Sequence, residues 1–259
     1  KNMVEYVKNQ GMKAIAITDH GNMYGTIKFY KACMDAGIKP IIGCEIYVAR
    51  RTRNDKEAGV DTDSNHLILL AKNNTGYKNL MRIISIANLE GYYYRPRTDM
   101  DLLKEHHEGL ICLSSCVKGY ISEPLLENQE ETARDRAKKL SEIFGKDNFY
   151  LELQKHIDVK NQDILNEKLI KLSENLGIPL VATNDNHYVY SSDATAQEIL
   201  LCIQTQTTID TKNRKLSMIS SPDFYIKSQE EMKGLFIQTP VAIENTVKIA
   251  NMCNVDITL

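Results

Sequence analysis

Residues 13–18, KAIAIT, form a short apolar run that follows Gly11 and leads directly into Asp19 and His20. A run of this length and composition predicts a buried strand. Five further runs predict strands in the same way, at residues 40–48 (PIIGCEIYV), 66–71 (HLILLA), 109–114 (GLICLS), 148–153 (NFYLEL) and 179–183 (PLVAT). Helical spacing separates several of them, at about 25–36, 76–87, 130–144 and 159–176. Buried strands that alternate with helices favour a parallel sheet, so we predict an α/β fold, either a barrel or a doubly wound sheet.

The pattern changes after residue 193, where it becomes mostly helical. We predict helices near 194–203, 229–236 and 240–253, and a short strand at 225–227. Residues 50–65 (RRTRNDKEAGVDTDSN) are polar throughout and predict a surface loop.

Composition excludes several classes of protein. The chain has 259 residues, of which 42% are hydrophobic and 25% charged, which is typical of a globular domain rather than a disordered segment. Its 32 basic and 34 acidic residues argue against binding nucleic acid through a generally basic surface. Apolar runs are too short for a membrane span. The six scattered cysteines contain no CxxC pair, which indicates reduced thiols in a cytoplasmic protein.

Side chains that can bind metals lie near or just after the ends of five predicted strands. In chain order they are Asp19 and His20, Glu45, Cys116, His156, and the pair Asp185 and His187. Because sites in parallel α/β folds assemble at the carboxyl ends of the strands, we expect these side chains to share one rim. Imidazole, carboxylate and thiolate together suit zinc, manganese or iron better than magnesium or calcium. Closely spaced ions of this kind commonly support phosphoester hydrolysis.

Each of these residues also has a structural interpretation. Cys116 alone fits a small buried hydrophobic side chain. His66 opens the third strand, at the opposite end from the shared rim, and therefore suggests a core or edge histidine. His156 fits a site and an ordinary surface position equally well.

Several longer segments resemble a known family, the PHP (polymerase and histidinol phosphatase) domain of bacterial DNA polymerase III alpha subunits. The segments are 11–25 (GMKAIAITDHGNMYG), 37–45 (GIKPIIGCE), 66–71 (HLILLA), 90–97 (EGYYYRPR) and 181–188 (VATNDNHY). The resemblance extends to residues 248–253 (KIANMC) and so covers nearly the whole chain.

This resemblance implies a distorted (β/α)7-type barrel with a metal cluster of one to three zinc or manganese ions at one rim. The positions that match the family's ligands are His20, Glu45, His66, Cys116, Asp185 and His187. Asp19 matches a position that orients a ligand or a water, and we expect Asp19, His20 and Asp185 to act in catalysis. For His66 the resemblance outweighs the structural interpretation.

One departure from the family concerns the start of the chain. The family opens with a His-x-His strand and a following Asp, which are not among these residues. We therefore expect residues 1–259 to be a single PHP domain without its first strand, ending near the boundary with the polymerase palm. As given, the chain should bind one or two ions and show no polymerase activity and little or no exonuclease activity.

Three functions remain open on the sequence. The first is a PHP domain of a replicative polymerase that acts in DNA replication and retains a metal-dependent 3′–5′ exonuclease. The second is the same domain as a structural and docking module for other polymerase domains and replisome subunits, such as an exonuclease subunit or the sliding clamp. The third is a free-standing phosphoesterase acting on a small phosphate ester. All three place the chain in the cytoplasm and away from membranes.

Two arginines follow three tyrosines in the segment 92–97 (YYYRPR). Tyrosine can stack on bases and arginine can pair with phosphates, so we predict that any DNA contact uses a local basic surface near Arg95 and Arg97. The alternative is a packed interdomain loop.

Overall fold

The computed structural model describes residues 2–214 and 216–258. Its helices are α1 (Asn2–Asn9), α2 (Thr26–Ala36), α3 (Asn74–Leu89), α4 (Met100–Glu105), α5 (Ser122–Leu126), α6 (Glu130–Phe144), α7 (Gln162–Leu176), α8 (Ala194–Thr205), α9 (Gln229–Leu235) and α10 (Pro240–Met252). Its strands are β1 (Ala14–Ile17), β2 (Lys39–Ala49), β3 (Ser64–Ala71), β4 (Arg97–Thr98), β5 (Leu110–Leu113), β6 (Phe149–Gln154) and β7 (Leu180–Thr183). The six strands predicted from apolar runs and the seven predicted helices are all present, with small shifts at their ends.

The strands form one sheet in the order β1-β2-β3-β5-β6-β7, and β4 adds to β2. Most neighbouring pairs are parallel, but β3 runs antiparallel to both β2 and β5. The prediction of an all-parallel sheet was therefore wrong for this strand. Its apolar run is buried on both faces whichever way it runs, so the sequence carries no sign of the reversal.

The sheet curls so that its two outer strands approach each other at one end. His20 follows β1 and His187 follows β7, and their ring centroids are only 6.0 Å apart. This curvature makes the fold an α/β half-barrel, in agreement with the predicted distorted barrel. The predicted strand at 225–227 is wrong: Tyr225 forms only an isolated bridge with Tyr188.

Two apolar clusters cover the faces of the sheet. The larger cluster packs helices α2, α3, α6 and α7 against the outer face, with Phe29, Leu80, Leu140 and Leu169 among its buried members. The smaller cluster fills one end of the inner face, where Ile249 and Cys253 from the α10 end of the chain pack on the strands. The other end of the inner face remains free for polar side chains.

Residues 50–63 connect β2 to β3 without a helix or a strand. Arg97 organises this loop although its own side chain is fully buried. It donates hydrogen bonds to the carbonyl oxygens of Asp61 (3.1 Å), Arg53 (3.2 Å) and Asp55 (2.8 Å). The predicted DNA contact is therefore wrong for Arg97, because its guanidinium satisfies backbone carbonyls inside the protein. No helix in the described ranges is long and apolar enough to cross a membrane.

Candidate metal centre

Successive side chains of a strand point to opposite faces of the sheet, and this alternation places several polar residues on the inner face. Ile68 and Leu70 belong to the inner apolar cluster, so His66, two residues earlier, shares their face. By the same alternation Glu45 shares the face of Ile41, and Glu152 that of Tyr150. The inner face is thus apolar at the end near α10 and polar at the opposite rim.

The reversed direction of β3 explains why His66 reaches this rim. Tyr47, near the end of β2, pairs with His66, near the start of β3. Since β3 is antiparallel, its first residues lie beside the carboxyl ends of its neighbours. The expectation that His66 lies at the wrong end of its strand was wrong for this reason.

Glu45, His66 and Cys116 converge at the rim. Each contributes one donor atom, and these atoms all lie within 4.8 Å of one another. Glu45 Oε1 contacts His66 Nδ1, and the Cys116 sulfur lies 3.9 Å from the same nitrogen. We call these three residues the buried triad; Glu45 is buried, and His66 and Cys116 are partly buried.

The donor atoms of the triad fit a metal ion. Glu45 Oε1 is buried and has no partner with hydrogen-bond geometry among the described residues, although imidazole nitrogens contact it. Burial alone would raise the pKa of Glu45, but its contacts with His20 and His66 outweigh burial and lower the pKa to about 2. Burial raises the pKa of the Cys116 thiol, and the nearby Asp185 and Glu45 carboxylates add to the effect. An imidazole, a carboxylate and a thiol whose donor atoms converge in this way form a donor set typical of zinc.

His20, Asp185 and His187 surround the triad on its exposed side, and we call them the outer group. His20 Nδ1 lies 3.3 Å from Glu45 Oε1, and this contact raises the pKa of His20. The His20 ring centroid is 6.0 Å from that of His66 and equally far from that of His187. Asp185 Oδ1 lies 3.5 Å from His187 Nε2. All six predicted ligand positions therefore belong to one contiguous cluster.

Two other candidates stand apart from this cluster. The Asp19 carboxylate makes no hydrogen bond to the six residues within the described ranges, although its carbonyl oxygen accepts from Glu45 N–H at 3.1 Å. His156 is buried and stacks on Phe224 at 4.1 Å between ring centroids. Phe224 also contacts the His187 ring edge-on at 5.6 Å, so His156 packs behind this aromatic side chain.

Sequence reasoning missed Glu152, a fully buried carboxylate in β6. It accepts hydrogen bonds from Ser115 N–H (2.9 Å) and from Thr183 Oγ1 (2.5 Å). Ser115 precedes Cys116 and has a left-handed φ of 66°, so this hydrogen bond holds a strained turn. Burial raises the pKa of Glu152 to about 7, and the Asp185 and Glu45 carboxylates add to the effect. A lone acidic residue in the run NFYLEL was the available indication, since a buried carboxylate requires hydrogen-bond donors.

The half-barrel, the rim cluster and the sequence motifs together define the class of protein. The chain belongs to the PHP domain family, and its match to this family covers residues 1–156. The matched range contains His20 and the buried triad, whereas Asp185 and His187 lie beyond it.

Nearly the whole chain is also similar to bacterial proteins named DNA polymerase III subunit alpha. It is 51% identical to that of Borreliella burgdorferi over 97% of the chain and 22% of the relative. It is 46% identical to that of Treponema pallidum over 98% of the chain and 22% of the relative. For Thermus aquaticus the identity is 43%, over 94% of the chain and 20% of the relative. The chain spans about a fifth of the length of these relatives.

A solved structure from Bifidobacterium adolescentis overlaps 71% of this chain with a TM-score of 0.42 and 12% sequence identity.

Proposed function

We propose that residues 1–259 act as one PHP domain of a bacterial replicative DNA polymerase and that its rim holds one to three zinc or manganese ions. The observation that carries this proposal is the buried triad, whose donor atoms lie within 4.8 Å of one another. The His20, Asp185 and His187 side chains, which lie around it, supply the ligands for further ions. The thiol favours zinc at the triad, and the carboxylate and imidazoles of the outer group suit manganese as well.

The residues of the rim have different tasks in this proposal. When bound, the ions stabilise negative charge on phosphate oxygens and make water a better nucleophile. Glu45, with a pKa of about 2, supplies a fixed negative charge at neutral pH. Cys116 must lose its proton when a metal binds, so metal affinity rises with pH. His20, with 48% of its side chain exposed, lies where an incoming phosphate first meets the cluster.

The proposed substrate is a phosphodiester at the 3′ end of DNA, and the proposed activity is a slow 3′–5′ exonuclease. High identity to polymerase III alpha subunits supports this function over a free-standing phosphoesterase for small phosphate esters. The proposed partners are DNA, the other polymerase domains, an exonuclease subunit and the sliding clamp, in the cytoplasm.

The experiment measures release of label from 3′-labelled single-stranded DNA with added manganese or zinc. The chain and its Asp185→Ala variant are compared over long incubations, together with an Asp135→Ala control on α6. We expect little release from the chain and from the control, in line with the weak activity expected of residues 1–259, and none from the Asp185→Ala variant. Metal binding without any release would contradict the exonuclease and favour a structural, docking role for the domain.

A further inference from the structure

Residues 92–96 form a loop that packs directly against the candidate metal centre, and we call it the tyrosine loop. Gly21, the residue after His20, has a left-handed φ of 63°. A Cβ at this position would lie 2.7 Å from Pro96 Cγ and 3.0 Å from the Tyr47 ring. Only glycine allows this approach, so the loop has a fixed position next to His20.

The buried Arg97 holds the tyrosine loop in place. Its Nε donates to the Gly91 carbonyl oxygen at 3.1 Å, and its guanidinium lies over the Tyr93 ring at 5.3 Å. Tyr93 in turn contacts the Tyr94 ring edge-on, with 4.8 Å between centroids. This series of contacts holds an aromatic ring, that of Tyr94, which is 64% exposed to solvent.

Arg95 differs from the arginines of the loop 50–63 in its charge environment. Arg50, Arg51 and Arg53 each pair with a carboxylate. Arg95 is exposed and forms no ion pair within the described ranges. Its guanidinium carbon lies 5.8 Å from the Tyr47 ring centroid. The Tyr47 ring is itself 5.1 Å from that of His66 and 6.2 Å from that of His20.

The Tyr47 ring lies between the Arg95 guanidinium and the histidines of the rim. If the rim binds the terminal phosphodiester of a DNA strand, Arg95 is placed to bind a neighbouring phosphate of that strand. Guanidinium binds phosphate oxygens through charge-assisted hydrogen bonds, and exposed tyrosine stacks on any base. We propose that Arg95 and Tyr94 form a binding subsite for the end of single-stranded DNA, with Arg95 on a backbone phosphate and Tyr94 on a base. This inference rests on the proposed function, because it names the substrate that the same rim receives.

The test measures binding of a fluorescein-labelled oligothymidylate to the metal-free chain across a salt series. Arg95→Gln should weaken binding about tenfold and reduce the log–log salt slope by about 0.7, the share of one phosphate contact. Tyr94→Leu should weaken binding by about fivefold or more without changing the slope. The matched control is Arg82→Gln, an exposed arginine on α3, which should change neither quantity.

Two results would overturn the subsite: no binding by the unsubstituted chain, or an Arg95→Gln variant with unchanged affinity and slope. Zinc binding is measured separately, on samples of the same proteins incubated with zinc and then freed of excess metal, and this separates failure of the subsite from failure of the proposed function. If these samples bind zinc but DNA affinity does not depend on Arg95, only the subsite is contradicted. If DNA affinity depends on Arg95 but these samples bind no zinc, the subsite stands and the metal-dependent function is contradicted.

Discussion

The buried triad and the outer group occupy the same rim but differ in how the fold holds them. Side-chain exposure is 6% for Glu45 and 13% for His66, against 48% for His20 and 26% for Asp185. Glu45, His66 and Cys116 lie on or just after β2, β3 and β5, which have a neighbour on each side. His20, Asp185 and His187 follow β1 and β7, which lie at the two ends of the strand order.

The difference shows that position in the sheet determines how firmly a donor atom is held. Ligands from central strands are fixed before a metal arrives, whereas those from outer strands are brought together mainly by the curvature of the sheet. We therefore expect the triad to set the affinity for the first ion, and the outer group to complete the site for further ions and substrate.

The largest effect should follow from removing a triad residue. His66→Ala leaves two triad donors at a site built for three, so zinc affinity should fall by about 100-fold or more. Competition with a chromophoric chelator measures this affinity. His107→Ala, two residues after α4, is the control and should bind zinc as the unsubstituted chain does. Equal zinc affinities for His66→Ala and His107→Ala would contradict the distinction between the buried triad and the outer group.

The next largest effect should come from Glu152, which accepts a hydrogen bond from the backbone of Ser115, the residue before Cys116. Both carboxylate oxygens of Glu152 accept hydrogen bonds. Glu152→Gln replaces one of these oxygens with an NH2 group, which can only donate, so the Ser115 turn before Cys116 is held less firmly. Zinc affinity should fall by about 10- to 100-fold while the circular dichroism spectrum is retained. Gln154→Glu, two residues along β6, tests whether a second carboxylate there rescues binding in the Glu152→Gln background. Zinc affinity unaffected by Glu152→Gln would show that this carboxylate does not position the site.

A smaller effect should follow from a change in the outer group. His187→Ala leaves the triad intact, so affinity for the first zinc should fall by no more than about tenfold. The number of ions bound at saturation, measured by plasma mass spectrometry, should fall by one. A loss as large as that of His66→Ala would mean that the outer group shares the first ion.

The smallest effect on metal binding should come from His156, which lies behind Phe224. Burial lowers the pKa of His156 to about 4. The unfolded chain takes up a proton at this residue near pH 6.5, and the folded chain only near pH 4, so stability is full above 6.5 and is lost as the pH falls towards 4. His156→Phe keeps the stacking and removes the proton. Its melting temperature should therefore fall less between pH 7 and pH 4.5 than that of the unsubstituted chain, with zinc content unchanged. A steeper fall, or loss of zinc, would contradict this placement.

The strands and most site residues could be predicted because apolar runs fix where strands lie and their ends collect functional side chains. The direction of β3 could not be predicted, since strand pairing depends on contacts far apart in the chain, and His66 was misjudged on residue pattern for that reason. Arg95 and Arg97 show the same limit on a smaller scale. Two residues apart, one guanidinium is exposed and the other is buried against four carbonyl oxygens, which depends on the path of residues 50–63.

The central claim is that Cys116 binds a metal together with Glu45 and His66. Cobalt(II) added to the chain tests it directly, because a cobalt–thiolate bond produces a charge-transfer absorption in the near ultraviolet. The account predicts this absorption in the unsubstituted chain and in Cys112→Ala, a buried cysteine four residues away, and its loss in Cys116→Ala. Its persistence in Cys116→Ala, or its absence from the unsubstituted chain at saturating cobalt, would contradict the account.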